Sequence, residues 1–151
     1  MRHGSRAGAV LIAGAVLAAV SPPEPAAAPH DLTVTVEGLR SQRGQVLVCL
    51  TANPRAFPDC AKDARAHKLT IPAGQAQTIV FPDLAAGTYA VSLLHDENGN
   101  GKPDMALMMP KEGFGFSRNP AIRFGPPAFA RAAFAMGGSA RHETIRMRYM
   151  F

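Results

Sequence analysis

From Leu32 onward the apolar positions recur at every second residue: Leu32, Val34 and Val36 alternate with Thr33, Thr35 and Glu37. That period fits a strand with one buried face, not a helix. A Ser41-Gln42-Arg43-Gly44 turn leads into Val46-Leu47-Val48-Cys49-Leu50, a run suited to a buried strand, and the two segments are expected to form a hairpin. Leu69 and Ile71 mark a third strand ended by Pro72-Ala73-Gly74, residues 78–81 a fourth ended by Pro82-Asp83, and residues 89–95 a fifth. Further strands are expected at residues 128–136 and 144–149, where Ile145, Met147 and Tyr149 alternate with Arg146 and Arg148. Residues 105–127 show no period and carry Pro110, Pro120, Pro126 and Pro127 with Gly113, Gly115 and Gly125, so they read as one long irregular excursion. Phe114, Phe116, Phe124 and Phe129 argue against disorder there. Short strands with frequent turn signals and no long amphipathic helix indicate a single all-β sandwich.

The chain opens differently. Arg2 and Arg6 precede a 14-residue apolar run, Ala7 to Val20, followed by small residues at Ala26-Ala27-Ala28. A membrane-spanning helix needs about 20 apolar residues, so this run reads as a secretory signal peptide over residues 1–28, with the sandwich domain at 29–151 and no transmembrane segment in the mature chain. Loss of Arg2, Arg6 and Glu24 takes the formal charge from +5 to +4. The arginines are scattered and the chain is expected to be secreted or periplasmic, which excludes nucleic acid as a partner class. An unidentified protein or glycan of the cell envelope is the expected partner.

Cys49 and Cys60 both lie in the exported part. An even count in an oxidising compartment favours a disulfide, closing a short loop through Pro54, Phe57 and Pro58.

The fifth strand runs directly into His95-Asp96-Glu97-Asn98-Gly99-Asn100-Gly101-Lys102-Pro103-Asp104. Asp96, Asn98, Asn100 and Asp104 fall at positions 1, 3, 5 and 9 of a calcium-loop pattern, Gly101 at position 6, and Lys102 could offer its carbonyl at position 7. Calcium wants about 6 to 8 oxygens. Position 12 should supply a carboxylate and is Leu107 here, which leaves Glu112 or Glu97 to complete the set. The alternative is a glycine-rich turn in which Asn98-Gly99 and Asn100-Gly101 satisfy positive-φ positions.

Upstream, Asp83-Leu84-Ala85-Ala86-Gly87-Thr88-Tyr89 places a tyrosine just inside a strand after an Asp/Gly turn, like a tyrosine corner, so Tyr89 is assigned to the fold. The set Asp83-Leu84 with Gly87-Thr88-Tyr89-Ala90, then His95 to Asp104, then Pro110-Lys111-Glu112-Gly113-Phe114-Gly115-Phe116-Ser117, resembles the bacterial exported family DUF2141, with similar order and spacing from about Leu32 to Tyr149. The resemblance implies a secreted or periplasmic sandwich of immunoglobulin-like or transthyretin-like character, in a family without an assigned activity. One departure is Met105-Ala106-Leu107-Met108-Met109, where the family more often has polar residues and a glycine; it points to a buried or partner-facing segment.

Three other constellations bear on function. Phe114 and Phe116, alternating with glycine, suit either an aromatic recognition lip or a plug closing one end of the sandwich. Methionines 105, 108, 109, 136, 147 and 150 offer soft thioethers for copper(I), and also suit a core. For catalysis there is no G-x-S-x-G, HExxH or CxxC, and His95 and Asp96, adjacent on a strand, should face opposite ways. His67 and His142 stand alone. The sequence therefore points to a non-catalytic exported module with a candidate calcium loop and an aromatic, Met-rich contact loop. A Met/His copper-handling protein is the alternative, and a hydrolase of envelope polymers a more distant one.

Overall fold

The computed structural model describes residues 4, 23–106 and 109–151. The signal-peptide assignment, residues 1–28, falls for the most part outside them. Within the described residues, ten strands and one short α-helix follow in chain order, with a 3-10 turn at Ala73–Gln75: β1 (His30–Glu37), β2 (Gln45–Thr51), β3 (His67–Pro72), β4 (Thr78–Leu84), β5 (Gly87–Asp96), β6 (Met105–Ala106), β7 (Met109–Pro110), β8 (Gly113–Phe116), α1 (Phe129–Ala132), β9 (Phe134–Met136) and β10 (Arg141–Arg146). They form two packed sheets, β10-β1-β4 and β3-β2-β5-β8, with β9 also paired to β5 and a small β6-β7 hairpin apart. The expected all-β sandwich is what the chain builds.

The core lies where the alternation placed it. Leu32, Val34 and Val36 of β1 cluster with Val46, Val48 and Leu50 of β2 and Val91 and Leu93 of β5, and Ile79, Phe81, Ile145 and Met147 are among the residues packed with them. Tyr89 donates its hydroxyl to the carbonyl of Ala85 at 3.0 Å, so the corner forms as expected. Cys49 and Cys60 are bonded, with Cα atoms 5.6 Å apart.

Three expectations are corrected. β1 and β2 are not a hairpin: β1 pairs with β4 and, in parallel, with β10, whereas β2 pairs with β3 and β5. Both strands carry core side chains, and placing them in opposing sheets lets those side chains meet across the sandwich. The crossing is tight at Gly44, where φ is +69° and a Cβ would stand 2.1 Å from the Asp96 carbonyl oxygen. Next, the excursion is not wholly irregular, since Gly113–Phe116 forms β8 and extends the second sheet along β5. Last, the strand expected at 128–136 is split: Phe129–Ala132 is one helical turn, and only Phe134–Met136 is extended, against Gly87–Tyr89 of β5.

β8 shows how the second sheet uses both faces. Its register sets Phe116 opposite Ser92 and Phe114 opposite Leu94, with Gly115 opposite Leu93 and Gly113 opposite His95. Directly paired residues share a face, so the glycines turn inward and the phenylalanines outward. Gly115 makes room for Ile145 and Met147, and Gly113 for Tyr149. Outside, Phe114 and Phe116 join Ala90, Ala132, Phe57, Ile122 and Phe129 in a second apolar cluster. The disulfide loop contributes Phe57, whose ring lies 5.8 Å from that of Phe116 and 6.0 Å from that of Phe129.

Candidate metal loop at the end of strand β5

β5 delivers His95 and Asp96 to opposite faces, and both are fully buried. His95 lies on the core face. The Arg43 carbonyl, which can only accept, lies 2.9 Å from its Nε2, so that nitrogen carries the hydrogen. Nδ1 lies 2.7 Å from the Tyr149 hydroxyl oxygen, which accepts from the Arg40 N–H at 3.1 Å. With both nitrogens engaged, His95 is a structural link from β5 to the turn before β2 and to Tyr149.

Asp96 organises the loop from the other face. Its Oδ1 accepts the N–H groups of Gly99 at 2.8 Å and Asn100 at 3.1 Å; its Oδ2 accepts that of Gly101 at 2.7 Å and the Gln45 amide at 2.8 Å. Burial by itself raises a carboxyl's pKa, but these donors outweigh it and hold Asp96 below the usual carboxylate value. Gly99 and Gly101 take φ values of +71° and +77°, the left-handed turns that the Asn-Gly pairs suggested.

Asp104 closes the loop. It accepts from the side-chain amide of Asn98 and, at 2.9 Å, from that of Asn100. Behind it, the Asp104 N–H donates to Oε2 of Glu112 at 3.2 Å. Glu112 is only 5% exposed, and its other carboxylate oxygen, Oε1, is buried with no hydrogen-bond partner. Burial first, and then the neighbouring charges of Asp96 and Asp104 and a side-chain contact with Asp96, push the Glu112 pKa up, against the pull of the Asp104 N–H. The structure thus links Asp96, Asn98, Asn100, Asp104 and Glu112 through successive hydrogen bonds along one loop. Lys102 is exposed, with its N–H on Asn100 Oδ1 at 3.0 Å.

Glu97, the other carboxylate considered for the loop, is committed elsewhere. Arg40 grips its Oε2 through Nε at 3.0 Å and Nη2 at 2.5 Å, and Ser41 donates to its Oε1 at 2.7 Å. The hydrogen-bonded Arg40 guanidinium lowers its pKa to about 2. The same guanidinium lies 4.4 Å from the centre of the Tyr149 ring, so this ion pair clamps the chain end over the turn into β2.

The donor chemistry suits a hard cation: carboxylates, amide carbonyls and no sulfur or imidazole. Among the described residues, however, no three His, Cys, Asp or Glu side chains are gathered around one point. Asp96 is saturated by N–H donors, and the amides of Asn98 and Asn100 turn N–H groups toward Asp104 where a cation needs oxygens.

The remaining candidates sort by burial. Phe114 and Phe116 are 8% and 7% exposed, inside the outer cluster, and so do not form an exposed lip. Among the described residues of the excursion, Phe124 is the large apolar side chain that is exposed, 98% so, at the tip of the Arg123-Phe124-Gly125 turn. The sequence signal for it was the Gly125-Pro126-Pro127 breaker that follows. Met136 and Met147 are core residues, Met150 is exposed, and the side chains of Met105, Met108 and Met109 lie outside the described residues.

A sequence model of one protein family, described as an uncharacterized protein conserved in bacteria, matches residues 34–144. No curated protein and no solved structure matches the chain.

Proposed function

Since the chain belongs to the DUF2141 family by a match spanning most of its length, and that family's description assigns no activity, we propose from the loop's own chemistry that the protein is a non-catalytic module of the cell envelope whose acidic loop binds calcium. The observation that carries this reading is Glu112. A buried carboxylate oxygen without a partner, beside two further carboxylates, costs about 1–3 kcal/mol or more. A divalent cation would remove that cost.

Asp104 and Glu112 would hold the ion, joined by Asp96 once it releases some of its N–H donors, with Asn98 and Asn100 turning their carbonyl oxygens inward and the Lys102 carbonyl available as a further ligand. Bound calcium would supply positive charge and fix the loop; no reaction is assigned to it. Export is supported by the apolar leader, which looks like a signal peptide, and by the Cys49–Cys60 bond. The turn around Phe124 is the part of the excursion suited to a partner.

Titration calorimetry of calcium into chelator-treated protein tests the reading. A single site is expected at the weak extracellular end of the range, with a dissociation constant of about 10⁻⁴ to 10⁻³ M. Asp104→Ala should abolish it, and magnesium, which demands a stricter octahedron, should bind less well. Absence of calcium heat and of any calcium effect on melting would leave the loop as a turn.

A further inference from the structure

A cleft of about 380 Å³ opens beside β9, on the turn that follows β8, lined by Thr88, Arg118, Ala133, Phe134, Ala135 and Arg141. It is separate from the acidic loop, and its chemistry is opposite in sign. The turn after β8 places two consecutive residues in the left-handed region, Arg118 at φ +62° and Asn119 at φ +46°. Asn119 has a structural reason to be there. Its Oδ1 accepts the Arg146 N–H at 2.8 Å and its Nδ2 donates to the Thr144 carbonyl at 2.7 Å, tying the turn to β10. Asparagine also tolerates this conformation.

Arg118 has no such reason in its backbone. A left-handed conformation costs an ordinary L-residue about 1–2 kcal/mol, which glycine avoids. The turn would be cheaper with glycine, so the side chain is the part of Arg118 that needs explaining. Of its five N–H donors, one goes to the Ala133 carbonyl at 3.1 Å. No carboxylate among the described residues lies within ion-pair distance of it.

Across the cleft Arg141 is held rigidly. Its Nε and Nη2 meet Glu143 Oε1 at 2.7 and 2.6 Å, its Nη1 donates to the Ala135 carbonyl at 3.3 Å, and its guanidinium carbon lies 5.1 Å from the centre of the Phe134 ring. Glu143 therefore balances Arg141, and Arg118 is left as the uncompensated charge. The exposed Thr88, opposite Ala135 in the β5-β9 register, adds a hydroxyl.

From this arrangement we infer that the cleft binds the oxyanion group, carboxylate or phosphate, of a small molecule. Arg118 supplies the charge, and Thr88 and the spare N–H groups of Arg141 supply further polar contacts. A planar guanidinium fork matches either oxyanion. Glu143 holds the local charge to a single positive unit, which suits one anionic group and disfavours a polyanionic polymer.

The test is an NMR titration of the isotope-labelled mature protein with sodium acetate and with inorganic phosphate, each against sodium chloride at matched ionic strength. Saturating amide shifts are expected at Thr88, Arg118, Ala133 and Ala135, with a dissociation constant of roughly millimolar size. Saturation by one salt alone supports the site and identifies its oxyanion. In Arg118→Gly the shifts should vanish while the melting temperature holds or rises, because the left-handed strain is relieved. Equal shifts with chloride, or shifts that persist in Arg118→Gly, overturn the inference.

Discussion

Gly113 and Tyr149 share one space: a Cβ on Gly113 would stand 2.3 Å from Cε1 of the Tyr149 ring. The glycine in β8 exists so that a tyrosine near the chain end can reach His95. Gly113→Ala should therefore destabilise by about 1–3 kcal/mol, or more if the ring cannot move. In a double-mutant cycle measured by urea unfolding, Gly113→Ala should cost much less in a Tyr149→Ala background. Equal costs in both backgrounds would show that the penalty does not come from the Tyr149 ring.

Tyr89 makes a smaller contribution of the same kind. Tyr89→Phe removes the bond to the Ala85 carbonyl while keeping the ring against the core. A loss of about 1 kcal/mol is expected, which for a domain of this size lowers the melting temperature by about 3–5 °C. Calorimetry showing no change would remove the corner from the account of stability.

The disulfide anchors the outer cluster as well as the chain. Its short loop holds Phe57 against Phe116 and Phe129. The Cys49→Ser/Cys60→Ser variant should lose about 2–3 kcal/mol, and hydrogen exchange should quicken first in β8 and the residues flanking Phe57. Uniform acceleration over both sheets would argue that the loop acts on the unfolded chain alone.

Acid should act through Glu97. Its folded pKa of about 2 lies below its ordinary value of 4.5, because Arg40 is bonded to the ionised form. A depressed carboxyl contributes stability that is present above the ordinary value and is lost as pH falls toward the folded one. Between about pH 5 and pH 2 the wild type should lose stability more steeply than Glu97→Gln. Glu112 has the opposite sign: its raised pKa makes the folded state the stronger proton binder, so its effect relaxes on acidification. Parallel denaturant midpoints for wild type and Glu97→Gln across that range would contradict the assignment.

Much of this architecture was legible in the residues, and the parts that were not share a physical cause. The period-two runs at Leu32–Val36 and Ile145–Tyr149 report a buried face directly, as does the Asp/Gly turn before Tyr89. Local patterns cannot report which strands pair. The parallel neighbours β1 and β10 are over 100 residues apart, and nothing near Gly44 distinguishes a hairpin from a crossing between sheets. Gly113 and Gly115 carry no apolar signal, although they face the core; Phe114 and Phe116 carry a strong one, although they pack outside it. In the loop, the spacing of Asp96, Asn98, Asn100 and Asp104 pointed to one site, and Glu112 could be named only as one of two carboxylates. What separated it from Glu97 was the position of Arg40, which lies far from both in sequence.

If the acidic loop binds calcium, the partnerless Oε1 of Glu112 is where the ion acts, and thermal unfolding of wild type and Glu112→Gln, each with chelator and with calcium, is the decisive experiment. In chelator the glutamine variant should be the more stable, by about 1 kcal/mol, because its neutral amide relieves the charge while still accepting from the Asp104 N–H. Calcium at roughly 10 mM should stabilise the wild type by about 2.7 kcal/mol if the dissociation constant is about 10⁻⁴ M. It should leave the variant almost unchanged, so that the order of the two melting temperatures reverses. Curves that calcium does not move in the wild type, or moves equally in both proteins, would contradict the claim.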